Sequence, residues 1–269
     1  MYLIGKTKHL TWKIFYCFSV NARDAAIEIA NYVGGSMDGF VKLMNETAKN
    51  IGMNKTNFVN SSGLENDEGV GNMSTSYDMA LLMSEAMKNE KFREIVSTDK
   101  KVVKKNFKTY IWYNKNKLLK NYEYCTGGKT GFTEKARRTL VTTATKDNMN
   151  LVVVTLNDPN DFSDHQELYE KYFKMYKSYK VIDKDNEDFD NNNYYVKQSK
   201  SIMLTSDEYK RIKKEVTLYD KNISDIVGYM TVKMDDKILV KEYIYEKNNK
   251  EKIIENKSWF DKIKEFFIK

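Results

Sequence analysis

The sequence predicts a mixed α/β (α+β) domain followed by a small all-β domain, and three observations support this prediction. Apolar residues recur at helical spacing through residues 25–87. Residues 139–156 then contain two apolar, β-branched runs of strand length. From residue 194 onward, short runs alternate apolar and polar side chains, as half-buried strands do.

The helices of the first domain are predicted from their start and stop signals. A first helix over residues 25–32 ends at the pair Gly34-Gly35. A second begins at Ser36, whose hydroxyl can accept a capping hydrogen bond, and continues to Gly52. The polar run at residues 74–78 caps a third helix. Farther along, residues 101–113 alternate like one half-buried strand, and residues 163–179 read as an amphipathic helix.

Composition sets the domain boundaries. Residues 183–193 are acidic and rich in asparagine, which is typical of a linker, so the first domain is predicted over 1–182 and the small β domain over 194–250. Residues 251–269 form a separate tail. Its aromatic and aliphatic side chains fall on one helical face, which predicts an amphipathic helix lying in a membrane interface or, alternatively, packed on the β domain.

Charge and rare residues exclude several functions. The net charge of +7 can attract anionic polymers or membranes, or it can reflect only a solvated, lysine-rich surface. No nucleic-acid-binding motif accompanies it, so no nucleic-acid partner is predicted. The two cysteines, Cys17 and Cys125, lack metal-ligand spacing, and His9 and His165 are the only histidines. The sequence therefore predicts neither a metal site nor a cofactor. No apolar run is long enough for a membrane-spanning helix.

The segment with the clearest chemistry is Cys125-Thr-Gly-Gly-Lys129-Thr130-Gly131-Phe-Thr133. A strand with this sequence can place an ammonium group and a hydroxyl against a substrate carboxylate. Its glycine leaves room for a ligand backbone along the strand edge. Lys-Thr-Gly, together with S-x-x-K and a serine–asparagine motif, marks the β-lactamases and penicillin-binding proteins.

Further blocks make a specific resemblance. In chain order they are Asp24-Ala25-Ala26, Phe40-Val-x-x-Met44-Asn45, Ala48-Lys49-x-x-Gly52-Met53, Thr56-x-Phe58-x-Asn60-Ser-x-Gly63-Leu64, Ser74-Thr75-x-Tyr77-Asp78-Met79-Ala80, Asn114-Lys-Asn116-x-Leu118-Leu119 and Lys129-Thr-Gly-Phe-Thr133. Their order and spacing over residues 14–180 resemble the serine-type D-alanyl-D-alanine carboxypeptidases, which are low-molecular-weight penicillin-binding proteins. The resemblance implies a β-lactamase/transpeptidase-like first domain. The β domain and amphipathic tail match the family's usual C-terminal domain and membrane anchor.

The resemblance also implies a function in peptidoglycan maturation and cell shape. The expected substrate is a stem peptide ending in D-Ala-D-Ala, whose terminal carboxylate would be held by Lys129, Thr130 and Gly131. β-Lactams are expected ligands of the intact family. The implied location is the extracytoplasmic face of the cell membrane. The export signal of this chain is doubtful, because its apolar run over residues 14–20 is short.

The sequence departs from the family at the nucleophile. Only one S-x-x-K occurs, Ser97-Thr-Asp-Lys100, and it lies between the regions of the second and third motifs, where we interpret it as a chance match. Aligned on Asp24, the family's S-x-N falls on Asn21-Ala-Arg23. Ser19-Val-Asn21 spells S-x-N two residues early, which turns a helical side chain by about 200°. We therefore expect an N-terminally truncated family member.

Three interpretations follow. The first is a carboxypeptidase family protein that is inactive because its S-x-x-K segment is missing. The second is a fragment of an active carboxypeptidase. The third is a non-catalytic cell-wall-binding protein. Reading the DNA just upstream for an in-frame or frameshifted S-x-x-K would separate the first two, and binding to insoluble cell wall would test the third.

Overall fold

The computed structural model describes residues 23–105, 107–187, 189, 193–220 and 225–247. The chain divides into two compact units, with the division between Met175 and Tyr176. The predicted amphipathic tail and the residues Ser19 and Asn21 lie outside the described residues. Each unit is considered by itself.

The first unit contains six helices and five strands within its described part. They are α1 (Arg23–Gly34), α2 (Met37–Asn50), α3 (Ser76–Ala86), α4 (Glu90–Ser97), β1 (Lys100–Lys105), β2 (Lys108–Tyr113), α5 (Leu118–Asn121), β3 (Cys125–Thr133), β4 (Arg137–Lys146), β5 (Met149–Leu156) and α6 (Asp161–Met175).

The predicted helix starts are confirmed by capping hydrogen bonds. Ser36 Oγ accepts the backbone N–H of Gly39 at 3.0 Å at the start of α2. Thr75 Oγ1 accepts the N–H of Asp78 at 3.1 Å at the start of α3. The turn between α1 and α2 is tight, because a Cβ atom on Gly39 would lie 2.1 Å from the carbonyl oxygen of Gly34. These glycines therefore allow the two helices to follow each other within two residues.

The prediction of one strand over residues 101–113 is wrong. This segment forms an antiparallel hairpin of β1 and β2, in which Lys101 pairs with Trp112 and Lys105 pairs with Lys108. The connecting residues include neither glycine nor proline. The usual turn signals are therefore missing, and the alternating pattern continued through the turn.

Strands β3, β4 and β5 form an antiparallel sheet in that order, with a helix on each face. Adjacent residues of β4 point to opposite faces. Thr142 contacts His165 of α6, whereas Thr143 contacts Met87 directly after α3. Tyr169 of α6 is fully buried against this sheet, and its hydroxyl lies 2.8 Å from Thr142 Oγ1. This sheet supports the strand that contains Lys129.

His165 is buried between two hydroxyl groups of the sheet. Its Nδ1 lies 2.7 Å from Thr142 Oγ1 and its Nε2 lies 3.1 Å from Thr155 Oγ1. Burial lowers the pKa of His165 from 6.5 to about 4, and the negative charges of Asp161 and Asp158 oppose this only in part. The imidazole is therefore neutral in the native protein at pH values where the unfolded chain is already protonated.

We expect the stability of the first unit to fall between pH 6.5 and pH 4. In this window the unfolded state binds one more proton at His165 than the native state, so the free energy of unfolding decreases as pH falls, by roughly 3 kcal/mol in total. Urea unfolding at several pH values measures the slope. The His165→Gln variant is the control and should lose this contribution. An unchanged slope in the variant would contradict the assignment.

The second unit is a β domain with its own core. Its described elements are β6 (Lys177–Ile182), β7 (Tyr194–Val196), β8 (Lys200–Leu204), α7 (Ser206–Arg211), β9 (Ile212–Leu218), β10 (Ile226–Met234) and β11 (Lys237–Glu246). The four-stranded sheet has the order β7-β11-β10-β9, and β6 pairs with β8. Asp235, at a φ of 54°, lies in the turn of the β10–β11 hairpin.

The observed division comes earlier than the predicted boundary at 183–193. Strand β6, which was assigned to the first domain, pairs with β8 and places Val181 and Ile182 in the core of the second unit. Phe189, inside the predicted linker, is buried in the same core. Residues 183–193 are polar, as their composition indicates. Strands β6 and β8 lie on either side of this segment and pair with each other, so both belong to the second unit.

Candidate functional site

Lys129, Thr130 and Gly131 lie in the middle of β3. They pair with Val141, Leu140 and Thr139 of β4. Among the described strands, only β4 pairs with β3, so the opposite edge of β3 has no strand partner there. An unpaired strand edge can accept an extended peptide through backbone hydrogen bonds. Lys129 is half-buried, and its Nζ donates a hydrogen bond to the carbonyl oxygen of Thr130.

Glycines allow β3 to pack closely against β4. A Cβ atom on Gly131 would lie 2.4 Å from Thr139 Oγ1, and one on Gly128 would lie 2.6 Å from the carbonyl oxygen of Val141. Gly127, at a φ of 154°, marks the register shift at the start of the strand. Larger residues at these positions would push β3 away from β4.

A cavity of about 510 Å³ lies beside the Lys-Thr-Gly segment. Its walls come from α1, the loop after residue 60, strand β3 and the following hairpin turn. The lining residues are Arg23, Ala26, Ser61, Ser62, Gly63, Leu64, Lys129, Thr130, Gly131, Phe132, Thr133, Ala136 and Thr139. Lys129 and Arg23 are the cationic residues of this lining and no acidic residue belongs to it, so the cavity favours an anionic ligand.

The hydroxyl groups in this cavity lack the partners of a catalytic serine. Ser62 Oγ donates to Asn60 Oδ1 at 3.1 Å, and Ser61 Oγ is buried with no hydrogen-bond partner among the described residues. A nucleophilic serine needs a general base within hydrogen-bonding distance. Neither hydroxyl has such a base among the described residues.

Asparagine side chains from the sequence blocks quoted for the family resemblance support the loop that forms part of the cavity wall. Asn60 Oδ1 accepts the N–H of Gly63 at 2.7 Å, and Asn72 Oδ1 accepts the N–H of Val59 at 2.8 Å. Asn45 of α2 exchanges two hydrogen bonds with the backbone of Phe58, both at 2.8 Å. The side chains thus replace backbone pairing in a segment that has little regular structure.

The same loop is tied to the end of β3. Thr133 Oγ1 donates to Glu65 Oε1 at 3.1 Å, and Lys135 Nζ donates to the carbonyl oxygen of Gly69 at 2.9 Å. These contacts join residues that are far apart in the sequence. They fix the position of Ser61 and Ser62 relative to Lys129.

Another side-chain network lies behind the start of β3. Asn116 is buried, and its Oδ1 accepts the N–H of Leu118 at 3.1 Å while its Nδ2 lies 3.7 Å from Cys125 Sγ. Asn114 Oδ1 accepts the N–H of Asn116 at 2.9 Å. Burial raises the pKa of the Cys125 thiol, so it remains a neutral packing group at pH 7.

A second cavity, of about 410 Å³, also borders Thr130, Gly131 and Phe132. Its lining contains the cationic residues Lys115, Lys117 and Arg138. Arg138 is paired with the buried Asp161 at 2.5 Å, and its guanidinium lies 5.5 Å from the ring centroid of Phe162. The carboxylate of Asp161 therefore compensates the guanidinium of Arg138. No cluster of three metal-ligating side chains occurs within the described ranges.

The Ser97–Lys100 match does not have the geometry of an S-x-x-K motif. Ser97 is the last residue of α4, and Lys100 is the first residue of β1, so the two do not share a helical turn. Ser97 Oγ donates to the carbonyl oxygen of Glu94 at 3.3 Å. Lys100 Nζ lies 5.5 Å from the ring centroid of Tyr113. Neither residue lines the cavity beside Lys129.

Sequence reasoning missed Arg23 as a site residue. It noted that Arg23 occupies the aligned position of the asparagine in S-x-N but treated it only as a loss. The structure places Arg23 at the start of α1 and on the wall of the cavity. The alignment of Arg23 with the asparagine of S-x-N, together with the positive charge of arginine, could have identified it as a site residue.

Comparison with known families gives a match over more than half of the chain. Residues 14–160 match the peptidase S11 family, described as D-alanyl-D-alanine carboxypeptidase. The D-alanyl-D-alanine carboxypeptidase DacF of Bacillus subtilis is 35% identical over 135 residues, which is 50% of this chain and 34% of the relative. A D-alanyl-D-alanine carboxypeptidase of Streptomyces sp. K15 is 33% identical over 145 residues, 49% of each chain. The chain thus spans a third to a half of these relatives.

Solved structures extend the similarity to both units. Penicillin-binding protein 5 of Haemophilus influenzae has a TM-score of 0.67 at 22% identity, with 86% of this chain and 72% of the other covered. At that identity the match shows the fold alone. A serine-to-alanine mutant of the Streptomyces K15 DD-transpeptidase has a TM-score of 0.58 at 28% identity, with 62% and 68% covered. The fold prediction is confirmed.

Proposed function

The chain belongs to the D-alanyl-D-alanine carboxypeptidase family of serine-type hydrolases, and from that premise we propose that it binds peptidoglycan stem peptides ending in D-Ala-D-Ala without cleaving them. The observation that carries the proposal is the cavity beside β3, lined by Lys129, Thr130 and Arg23, together with the edge of β3 that has no partner among the described strands. In this proposal the peptide lies along β3, with its terminal carboxylate at Lys129.

The proposed binding mode uses charge and backbone together. The ammonium of Lys129 and the hydroxyl of Thr130 would donate to the terminal carboxylate, and the guanidinium of Arg23 adds a second cation to the same cavity. The backbone groups on the outer edge of β3 would pair with the extended peptide. Gly131 leaves space for the peptide, because it places no side chain on the strand.

The absence of cleavage is proposed from the chain's own serines. The 269 residues contain a single S-x-x-K, at Ser97, and its serine and lysine lie on different elements away from the cavity. Ser19 and Asn21, the shifted S-x-N, are outside the described residues. We accordingly propose that β-lactams bind this chain only non-covalently.

Two alternatives make different predictions. A fragment of an active carboxypeptidase would have an S-x-x-K segment encoded just upstream of this sequence, in frame or after a frameshift, and reading that DNA tests it. Its supporting observation is that the chain spans a third to a half of its relatives. A non-catalytic protein that binds cell wall in another way would bind insoluble peptidoglycan without any need for Lys129.

The binding proposal is tested with a stem-peptide mimic ending in D-Ala-D-Ala, titrated by calorimetry as the free acid and as the C-terminal amide. We expect the acid to bind, and we expect the affinity of the amide to be lower by at least about tenfold. The Lys129→Met variant should lose a similar factor for the acid, since a hydrogen bond to a charged group contributes about 1.5–3 kcal/mol.

The matched control is Lys42→Met on α2, where an exposed lysine lies 4.0 Å from Glu46 and is not part of the cavity lining. This variant should bind the acid like the unchanged protein. Equal affinity for acid and amide, or equal losses in both lysine variants, would contradict the proposed site.

We place the protein at the extracytoplasmic face of the cell membrane, because its family acts on peptidoglycan. In this proposal, residues 258–269 form an interfacial helix with Trp259, Phe260, Ile263, Phe266 and Phe267 on its apolar face. Within the described part of the chain, no helix has the length and apolar character needed to span a membrane. Vesicle flotation of the chain with and without residues 258–269 measures the contribution of the tail.

A further inference from the structure

The β1–β2 hairpin has an unusual charge pattern. Residues 100–120 contain eight lysines and no aspartate or glutamate. The neighbouring acidic residue, Asp99, lies 3.9 Å from Lys120 and is thereby partly compensated. Five of the lysines belong to the hairpin itself, so it is strongly cationic along its whole length.

Large apolar side chains are exposed on the same hairpin. Phe107, at the turn, is fully exposed, and Val102, Ile111, Tyr110 and Tyr113 each expose more than two fifths of their surface. Among the described elements, β1 and β2 mainly contact each other. A cationic surface that also exposes large apolar side chains favours an external partner.

The apolar residues are distributed along both strands. On one face, Val102 of β1 pairs with Ile111 of β2, and Val103 on the other face pairs with Tyr110. Lysines flank these two adjacent pairs in the register: Lys101 pairs with Trp112, and Lys104 pairs with Thr109. Lysines and apolar side chains therefore lie side by side along the hairpin.

We propose that the β1–β2 hairpin docks on an anionic lipid bilayer, with Phe107 at the headgroup level and the surrounding lysines against anionic headgroups. Charge complementarity is the first argument, since basic residues near an anionic membrane are each attracted to its surface potential. The second is the exposed aromatic and aliphatic side chains. A water-soluble anionic polymer would use only the lysines, whereas a bilayer interface also accommodates aromatic rings.

This docking surface is separate from the cavity beside Lys129, which none of the hairpin residues lines. It also shares no residue with the proposed tail helix, which consists of residues 258–269. Failure of either earlier proposal therefore leaves this one testable.

The experiment is flotation of the full-length chain with vesicles of phosphatidylcholine, with and without phosphatidylglycerol. A variant with Lys104→Gln and Lys108→Gln should bind anionic vesicles about thirtyfold more weakly, since each lysine near the surface changes the partition coefficient about fivefold. The Phe107→Ser variant keeps the charge and should also bind more weakly, by about tenfold, because it removes a large exposed apolar side chain.

The matched control removes the same charge elsewhere in the first unit. Lys42→Gln with Lys174→Gln changes two exposed lysines on α2 and α6 and should bind nearly like the unchanged protein. Circular dichroism melts of all variants check that the fold is retained. Each variant is also prepared without residues 258–269, and the hairpin effect should persist in that background.

Three results would overturn the proposal. The first is an equal loss of binding in the hairpin and control lysine pairs, which would assign binding to net charge. The second is a loss that occurs only on deletion of residues 258–269. The third is unchanged vesicle binding by Phe107→Ser together with equally tight binding to soluble polyglutamate, which would indicate an anionic-polymer site instead of a lipid surface.

Discussion

The full-length chain incubated with a fluorescent penicillin is expected to give no covalent band on a denaturing gel. A stable acyl adduct requires a serine beside a basic lysine, and Ser97 and Lys100 lie on different elements instead. The expected effect is large, since removing the nucleophile of a serine hydrolase lowers its rate by about 10⁶-fold. An intact carboxypeptidase of the family, labelled in parallel, is the positive control.

Variants assign any band that does appear. A band that disappears in Ser97→Ala would mean that the end of α4 rearranges into an acylation site, and a band that disappears in Ser19→Ala would mean that the shifted S-x-N supplies the nucleophile. Either result would contradict the proposed lack of cleavage. Labelling must be compared between folded protein and protein that was heat-denatured before the dye was added. Non-specific adsorption of the dye occurs in both samples, whereas a specific adduct forms only with the folded protein.

Replacing Tyr169 by alanine is expected to destabilise the first unit by about 3–5 kcal/mol. Tyr169 is fully buried in the cluster with Leu118, Tyr122 and Ala144, and truncation leaves a cavity in that core. The variant also removes one of the two hydrogen-bond partners described for the Thr142 hydroxyl, the other being His165. Against a typical net stability of about 5–15 kcal/mol, this is enough to unfold a large fraction of the protein.

The measurement is urea unfolding followed by near-ultraviolet circular dichroism. Tyr172→Ala is the control on the same helix, because Tyr172 exposes 38% of its surface, and its loss should cost less than about 1 kcal/mol. Similar losses for both variants would show that α6 does not pack on the sheet as described. The core of the second unit contains neither residue, so its transition should stay unchanged.

Local patterns in the sequence were sufficient for most of the regular structure. The caps at Ser36 and Thr75 and the strand containing Lys129 follow from neighbouring residues, and the structure confirms them. The β1–β2 turn was missed because it lacks glycine and proline, so the alternating pattern had no interruption. The domain boundary was misplaced because the pairing of β6 with β8 joins segments on both sides of a polar stretch.

The candidate site was predictable only in part. Lys129, Thr130 and Gly131 form a contiguous motif, and such motifs are visible in a sequence. Arg23, Ser61 and Ser62 reach the cavity from α1 and from a loop, through side-chain contacts such as Thr133 to Glu65. Such contacts depend on the assembled fold. The asparagines Asn45, Asn60 and Asn72 matched the family blocks, but their structural function appears only in their hydrogen bonds.

The most direct test of the central claim is to locate peptide binding by ¹⁵N-resolved NMR. Titration with the free-acid stem-peptide mimic should shift the backbone amide signals of Thr130 and Gly131 on β3, together with those of Ser61 and Ser62 across the cavity. The C-terminal amide should leave them nearly unchanged, and no free D-alanine should be released during the titration. Saturable shifts confined to other parts of the chain, or release of D-alanine, would contradict a carboxylate-binding site that does not cleave its ligand.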